Sequence, residues 1–307
     1  MRKTKGKTAA KRRLPFDPMP IETKLAAKKR LIEKALDRLL DLEDGPLSQA
    51  MRYAVFPGGK RFRPLLLLSS GKCFGVSSSL LLPFACGLEL IHCYSLVHDD
   101  LPSMDNDDFR RGKPTLHRAF GEDMAILAGD GLLTLAFEAM AGAPVRRDKI
   151  RLKQEVIRLI SRSAGACGMV GGQALDITLK PKTMTRAGLE ELIQKKTGAL
   201  ILAAVEAGAV FGDAPAVERR AIRNFGRSIG MAFQIRDDLL DDRREKKTGV
   251  PDRPDYVTLI GAAGAEKKLE GLVRKAVASV AGFARRADEL RHHALSLLEL
   301  APEVNNA

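Results

Sequence analysis

Apolar residues recur along most of this chain at the three- or four-residue interval of an α-helix. The interval predicts a first helix over residues 21–42, after which Gly and Pro interrupt the pattern. It predicts further helices over residues 79–100, 123–140, 148–168, 185–211, 215–242 and 265–300. No stretch rich in Val, Ile and Thr alternates with polar residues as a strand would. The chain is therefore predicted to be all-α, a single-domain helical bundle.

Two of the predicted helices lead into dense acidic clusters. The first cluster begins at Asp99 and the second at Asp237, and both follow apolar stretches. Crowded carboxylates repel one another and are costly to bury unless a cation joins them. Mg²⁺ is usually held by one or two carboxylates together with the phosphate oxygens of a substrate. The two clusters therefore predict a pair of helices that clamp a diphosphate through metal ions.

The spacing around Asp99 places several polar side chains near it. Asp105 follows six residues later, on a different face of an ideal helix, but Pro102 breaks the helix and should let Asp105 turn back. His92 lies seven residues before Asp99, within about 20° of the same face, and Ser95 lies four before it. His92 is either a core residue with one hydrogen bond or a donor to phosphate.

A basic segment, Gly58-Gly59-Lys60-Arg61-Phe62-Arg63-Pro64, precedes another apolar helix. Arg binds oxyanions with a planar fork and Lys binds them as a point charge. Lys60 and Arg63, beside a flexible Gly pair, are therefore candidate phosphate ligands. A basic helix start that is simply exposed to solvent is an equal alternative.

Three smaller polar features lie inside apolar helices. Gln173 follows a Gly pair, Lys196 and Thr197 precede a Gly that weakens the helix, and Gln234 lies one turn before the second acidic cluster. Each is individually compatible with a core amide, a kink or a solvated pair. Their number indicates polar groups converging on a site.

Composition changes this picture mainly at the amino terminus. The 307 residues carry a net charge of +13, and the first thirteen contain seven Lys and Arg but no acid. Such a block is typical of a disordered tail, so residues 1–20 are assigned to a tail and residues 21–307 to the folded domain. Targeting to an organelle or a membrane surface is the alternative for the tail. No nucleic-acid recognition motif accompanies the charge, so no nucleic-acid partner is expected.

The sequence also bears on the compartment. No run approaches the ~20 apolar residues that span a bilayer, and the first residues lack the apolar core of a signal peptide. The cysteines have no zinc-type spacing, which favours reduced, buried thiols; they are Cys73, Cys86, Cys93 and Cys167. A cytoplasmic protein with no transmembrane segment is expected.

These motifs occur together, and in this order, in a known family. From about residue 25 to residue 290 the chain resembles the all-trans short-chain prenyl diphosphate synthases, the farnesyl and geranylgeranyl diphosphate synthase family. The matching segments are GGKRFRP from Gly58, DDLPSMDNDDFRRGKPTLH from Asp99, GGQALD from Gly171, KTG from Lys196 and FQIRDDLLD from Phe233. One DDxxD motif alone would be a weak signal, whereas the whole series is specific.

The resemblance implies an all-α isoprenoid synthase fold around a deep central cavity, usually assembled as a homodimer. It implies an enzyme that condenses isopentenyl diphosphate with dimethylallyl and geranyl diphosphate. Mg²⁺ bridging the allylic diphosphate would be held by Asp99, Asp105 and Asp237. The same diphosphate would be contacted by Arg110, Lys196 and Gln234, with Gln173 also among the substrate-binding residues.

The resemblance also implies a second diphosphate site and a polar contact to the reacting carbon. Isopentenyl diphosphate would be bound by Lys60, Arg63, His92 and Arg111. Thr197, at the predicted kink, would offer polar groups to the developing allylic cation. The released diphosphate is expected to take the proton, so no nucleophilic side chain is required.

Product length is expected to depend on the residues just before Asp99. Tyr94 lies five residues before Asp99, and a two-residue insertion, Leu101-Pro102, follows it, as in bacterial farnesyl (C15) synthases. On an ideal helix Tyr94 points about 140° away from Asp99, while the small Ser95 lies below Asp99. Farnesyl diphosphate is the expected product, and a C20 product stays open.

One segment departs from the family pattern. Residues 242–256 read DRREKKTGVPDRPDY, shorter than the usual loop and without its Gly-Lys pairs. Closure over the allylic diphosphate is therefore in doubt, which keeps open a non-catalytic subunit of a heteromeric synthase. A terpene cyclase is the other alternative, although the paired Asp clusters and GGKRFRP argue against it.

Overall fold

The structure is a computed structural model that describes residues 19–178, 184–245 and 255–300. It confirms the all-α fold. The α-helices within these ranges are α1 (Met19–Leu39), α2 (Pro46–Val55), α3 (Phe62–Cys73), α4 (Ser78–Asp99), α5 (Leu116–Phe120), α6 (Glu122–Gly142), α7 (Ile150–Ala164), α8 (Met169–Thr178), α9 (Arg186–Ile193), α10 (Ala199–Phe211), α11 (Ala216–Glu245), α12 (Tyr256–Ile260), α13 (Ala262–Ser279) and α14 (Asp288–Ser296). Most of the basic tail, residues 1–18, and residues 246–254 of the atypical segment lie outside the described residues, so both assignments stay predictions.

The core is built around α4 and α10, which are apolar on all sides. Helix α4 packs along α6 and α3, and α10 packs against α3, α11 and α7. Residues 203–205 and 207–211 of α10 are buried, as expected of a helix without a polar face. These central helices explain why a chain with few aromatic residues can still form a continuous core.

Helices α4 and α6 correct one sequence expectation. Both are long and apolar enough to cross a membrane by length and composition, with mean hydropathies of 1.7 and 1.5. In α4 67% of the most apolar window is buried inside the molecule, and in α6 39%. The statement that no run approaches the length of a span was therefore wrong. Helix α4 owes its apolar character to its central position.

Two predicted helices are interrupted. The helix expected over residues 185–211 contains a five-residue π-helical segment, Gln194–Gly198, between α9 and α10. The helix expected over residues 265–300 breaks after Ser279, where a 3₁₀ segment, Ala281–Ala287, precedes α14. Ala284 in that segment has φ 46° and ψ −137°, which no helix tolerates. Apolar periodicity alone does not detect either interruption.

A short hairpin follows the first acidic cluster. Strands β1 (Phe109–Arg110) and β2 (Lys113–Pro114) pair antiparallel, with Arg110 opposite Lys113. Arg111 and Gly112 between them both have positive φ, as a two-residue type I′ turn requires.

A buried ion cluster joins the two ends of the described chain. Glu289 of α14, 3% exposed, accepts from Lys28 Nζ of α1 and Lys72 Nζ of α3, each at 2.5 Å. Ser69 Oγ donates to the same carboxylate at 2.9 Å and lies 3.3 Å from His293 Nε2. Burial lowers the pKa of His293 to about 3, so its ring is neutral. The cluster fixes α14 against α1 and α3.

Candidate active site

The first acidic cluster begins where α4 ends. The Asp105 amide donates to the Asp99 carbonyl at 2.8 Å, and the Asn106 amide donates to the Leu101 carbonyl at 3.1 Å. Asn106 has a φ of 53°, which turns the chain back on itself. The structure thus brings Asp99 and Asp105 to the same turn, as the break at Pro102 was expected to do.

The Asp99 carboxyl group is poised to gain a cation. Burial is the main reason that the pKa of Asp99 is raised to about 6, and the charges of Asp105 and Asp100 contribute to the rise. Lys196 and Arg110 oppose the rise. The attraction of Lys196 places the π-helical segment within electrostatic reach of the end of α4. A carboxylate desolvated beside like charges gains most when a metal ion joins it.

Asp100, to which the sequence analysis gave no role, positions Arg110. It is buried, and its two oxygens accept from Arg110 Nε at 2.7 and 2.8 Å. Arg110 Nη2 also donates to Asp107 at 3.0 Å. Arg110 is thereby held by two carboxylates at the edge of the cluster. Two adjacent Asp residues at a helix end point in different directions. That adjacency could have indicated that only one of them is a candidate metal ligand and that the other holds Arg110.

The second acidic cluster lies near the end of α11. Burial raises the pKa of Asp237 to about 6, Arg236 opposes the rise, and Asp241 and Asp238 add to it. Arg236 Nη1 lies 3.5 Å from Asp237 Oδ1. Asp238 instead turns into the structure, where it accepts from the Tyr256 amide at 3.1 Å.

The π-helical segment links several predicted site residues. Lys196 Nζ pairs with Asp176 Oδ2 of α8 at 2.5 Å. Thr197 Oγ1 donates to Gln234 Oε1 of α11 at 2.7 Å, and Gln234 Nε2 donates to Asp238 at 2.9 Å. Gln234 thus joins Thr197 to the second acidic cluster. Its spacing of four residues from Asp238 was a readable signal for this bond.

Glycines fix the π-helical segment between its neighbours. A Cβ on Gly172 of α8 would lie 2.2 Å from the Lys196 backbone nitrogen, and a Cβ on Gly230 of α11 would lie 2.8 Å from Gly198 Cα. Only residues without a side chain permit these approaches. Gln173, next to Gly172, has a buried Oε1 without a hydrogen-bond partner among the described residues.

A second, basic part of the site is formed by two cations, Arg63 and Arg111, together with His92. The pKa of His92 is lowered well below its usual value by burial and by the charges of Arg63 and Arg111. Arg63 is buried, and its Nε has no partner within the described parts of the chain. Its guanidinium lies 5.9 Å from the centre of the Phe233 ring. Lys60 is exposed at the end of the preceding loop.

The hairpin brings Arg111 to this basic group. Lys113 Nζ donates to the carbonyls of Tyr53 and Phe56, at 2.5 and 2.6 Å, and so attaches the hairpin to the end of α2. The Arg111 guanidinium packs over Gly59, where a Cβ would lie 3.3 Å from Nη2. Arg63 also feels the charge of Asp237, so the basic group adjoins the second acidic cluster.

The residues expected to set product length lie one to two turns before Asp99. Tyr94 is buried, with its ring centre 5.7 Å from that of His98. His98 Nε2 lies 3.2 Å from the Ile126 carbonyl, so this face of α4 is turned towards α6. Ser95 Oγ donates to the His92 carbonyl at 2.9 Å. Because the Ser95 side chain is small, it occupies little space on its face of α4.

The acidic residues suit a cation that the substrate helps to bind. Within the described ranges, no three His, Cys, Asp or Glu side chains converge closely enough to hold a metal ion by themselves. Mg²⁺ does not need such a cage, because it keeps several waters and takes substrate phosphate oxygens. The desolvated carboxylates of Asp99 and Asp237 fit that mode of binding.

Comparison with known proteins agrees with this geometry. A farnesyl diphosphate synthase of Geobacillus stearothermophilus is 45% identical over 261 residues, covering 82% of this chain and 88% of that protein. Geranylgeranyl pyrophosphate synthase 4 of Arabidopsis thaliana is 39% identical over 271 residues, covering 84% and 72%. The crystal structure of an FPP/GFPP synthase from Zymomonas mobilis matches with a TM-score of 0.83 at 36% identity, covering 93% of this chain and 100% of that one. The sequence profile of the polyprenyl synthetase family matches residues 44–251, a range that includes both acidic clusters and the basic group, and the chain therefore belongs to that family.

Proposed function

We propose that the protein is a Mg²⁺-dependent prenyltransferase that condenses isopentenyl diphosphate with dimethylallyl and geranyl diphosphate and releases farnesyl diphosphate. One observation carries the proposal. Burial raises the pKa of two carboxyl groups, Asp99 and Asp237, and the second of them acts on Arg63, a buried cation whose Nε has no hydrogen-bond partner among the described residues. Two diphosphates, one bound through a metal ion at the carboxylates and one bound by Arg63, would bring an allylic and a homoallylic chain side by side.

The allylic diphosphate is assigned to the acidic side. Mg²⁺ held by Asp99, Asp105 and Asp237 would neutralise the charge that develops on the leaving diphosphate. Lys196 and Arg110 add direct cationic contacts, and their pairs with Asp176 and Asp100 hold them in place. Gln234 and Gln173 supply amide groups, and the unpartnered Gln173 Oε1 would accept from a bound water.

Isopentenyl diphosphate is assigned to the basic group. Arg63 Nε would donate to a phosphate oxygen, which would satisfy its unmet hydrogen bond. His92 is neutral because burial and its Arg neighbours lower its pKa, so it would donate one N–H without adding charge. Arg111 and Lys60 complete the charge needed to balance a diphosphate.

The chain's own groups then favour ionisation and exclude water. The allylic carbon–oxygen bond breaks with its electron pair leaving on the diphosphate. The double bond of isopentenyl diphosphate forms the new carbon–carbon bond, and a proton leaves for the released diphosphate. Thr197, whose hydroxyl donates to Gln234, would offer a lone pair of its oxygen to the developing cation. Apolar side chains such as Phe233 keep water from the cation.

Tyr94→Ala tests the residue proposed to stop chain growth. Removing the buried ring should open space beyond the farnesyl chain, so the main product is expected to lengthen from C15 to C20 or more. Tyr94→Phe keeps the ring and should keep C15. Mass spectrometry of the products measures both variants. An unchanged product from Tyr94→Ala would place the stop elsewhere.

A C20 product is the second candidate. The face of α4 that carries Tyr94 and His98 is turned towards α6, whereas Ser95 lies nearer the direction of Asp99. A prenyl chain that grows along the Ser95 face of α4 would not be blocked by the Tyr94 ring and could reach C20. Geranylgeranyl diphosphate from the unaltered enzyme would support this route.

We also propose that two copies of the chain associate through α6. Ile126 and Leu127 on this helix are 45% and 53% exposed, although the helix is apolar. A second copy would cover them, and light scattering at twice the mass of one chain would bear this out. The cytoplasm is the proposed compartment, since Cys73, Cys86, Cys93 and Cys167 are free thiols.

The proposed function is tested by incubating the purified protein with Mg²⁺, isopentenyl diphosphate and dimethylallyl diphosphate. Farnesyl diphosphate is the expected product. If no product forms even when geranyl or farnesyl diphosphate is supplied, the chain is a partner subunit rather than the enzyme. Omission of Mg²⁺ in the presence of a chelator should abolish product formation.

A further inference from the structure

Arg61 differs from the other cations of the basic loop because it is directed into the protein. It is 1% exposed, its φ is 53°, and α3 begins immediately after it. Its Nε donates to Glu33 Oε1 of α1 at 2.8 Å, and its Nη1 donates to Glu89 Oε1 of α4 at 2.7 Å. Its Nη2 donates to the Val55 carbonyl at 2.9 Å. One guanidinium therefore ties three helices together.

The loop that precedes α3 is folded around this guanidinium. A Cβ on Gly58 would lie 1.9 Å from Arg61 Nη2, so the backbone passes directly over the planar group. The Phe56 ring lies on it as well, with its centre 5.6 Å from the guanidinium carbon. The position of the loop is set by a planar cation that a Lys side chain could not replace.

The same unit lies beside the proposed site for isopentenyl diphosphate. Lys60 and Arg63 flank Arg61 in sequence, and Gly59 of the loop contacts the Arg111 guanidinium. Glu89 lies three residues before His92 on α4, and its charge also acts on Arg63. Buried Glu89 is thus shared between the cation that holds the loop and a cation proposed to bind substrate.

We propose that Arg61, with Glu33 and Glu89, is a positioning unit that sets the spacing of Lys60, Arg63 and His92 for the diphosphate of isopentenyl diphosphate. The inference rests on the proposed function for the identity of that ligand. Arg61 does not touch the substrate. It acts by holding the loop and α4 at a fixed separation, so it governs the homoallylic site and leaves the allylic site unaffected.

Arg61→Lys is the test, because Lys keeps the charge but cannot form the fork. The expected result is a KM for isopentenyl diphosphate raised about tenfold, with the KM for geranyl diphosphate and kcat changed by less than about twofold. Arg219→Lys is the matched control. It makes the same change at an Arg that donates to Glu155 of α7 at 2.9 Å and to the Ala214 carbonyl at 3.0 Å, about five turns before Asp237 on α11, and it should change neither KM.

Equal rises in both KM values, or an unchanged KM for isopentenyl diphosphate, would overturn the proposal. If Arg61→Lys does not fold, Glu33→Gln replaces it, since Glu33 is 29% exposed at its side chain and keeps its shape as Gln. That variant should raise the same KM about threefold, and no change in it would equally overturn the proposal.

Calorimetric titration with inorganic diphosphate in EDTA separates this inference from the proposed function. Without metal, inorganic diphosphate is expected to bind mainly to the basic group. If the unaltered protein makes no product, the proposed function fails, yet weaker diphosphate binding by Arg61→Lys would still support the positioning unit. Equal binding by the two proteins would refute it.

Discussion

Asp99→Asn is expected to lower kcat by about 10³-fold, because one carboxylate oxygen that would bind the metal becomes an amide. The substitution preserves the shape of the side chain and the turn that joins Asp99 to Asp105. The measurement is steady-state turnover with geranyl and isopentenyl diphosphate at saturating Mg²⁺. Near-normal turnover in a folded variant would refute the assignment of Asp99.

The thermal stability of metal-free Asp99→Asn should not fall along with its turnover. The pKa of Asp99 in the fold is about 6, above its ordinary 3.8, so the folded protein holds this proton more tightly than the unfolded chain. Metal-free stability therefore falls as pH rises from about 4 to about 6, and the ionised carboxylate weakens the fold above that range. Asn carries no charge, so the metal-free variant should melt at the same temperature as the parent or higher at pH 8.

A matched control separates this loss from a general effect of removing a negative charge. Asp148 is exposed and pairs at 2.9 Å with Arg146, far along the chain from both acidic clusters. Asp148→Asn should leave turnover within about twofold of the parent, since surface ion pairs contribute little. If both variants lose activity alike, a role specific to Asp99 is excluded.

Gly172→Ala should produce the second large effect. The added Cβ would meet the backbone nitrogen and Cα of Lys196 at 2.2 and 2.6 Å, and neither atom can rotate away. The π-helical segment or α8 must shift, which should lower stability by about 1–3 kcal/mol. A displacement of Lys196 and Thr197 by about 1 Å should lower kcat about 100-fold. Thermal melting and single-turnover kinetics measure the two effects.

Gly271→Ala provides the control for Gly172→Ala. Gly271 lies within α13, and no atom would lie within 4 Å of an added Cβ. Ala at an open helical position should raise stability by roughly 0.5–1 kcal/mol and leave kcat unchanged. If Gly172→Ala behaves like this control, the close contact with Lys196 is not required for the site.

The presence of the helices could be predicted from the sequence, because the spacing of apolar residues indicates which face of a helix is buried. The interruptions were predicted only in part: Gly198 indicated a kink next to Thr197, but the sequence did not indicate a π-helical segment there or a break at Ala284. The π-helical segment Gln194–Gly198 depends on neighbours far away in sequence, since Gly172 and Gly230 pack against it. The break at Ala284 occurs in a stretch whose composition still favours helix.

The candidate site was predictable as a set of residue types but not as a set of partners. Arg61 and Arg63 are chemically identical in sequence, yet one is paired with two carboxylates and the other has an unmet Nε. Likewise, adjacent Asp99 and Asp100 diverge, and Asp100 binds Arg110. Which of two neighbouring like residues faces inwards is decided by tertiary contacts, and local sequence carries little of that information.

The ion cluster at Glu289 has a consequence for biosynthesis. Lys28 and its carboxylate partner are 261 residues apart, so nearly the whole chain must leave the ribosome before they can meet. Until α14 emerges, Lys28 has no Glu289 with which to pair, and the faces of α1 and α3 that contact α14 stay uncovered. Long-range closure of this kind is slow and leaves nascent chains prone to aggregate. A message that terminates before residue 289 would therefore release a chain that lacks the contacts of α14 with α1 and α3.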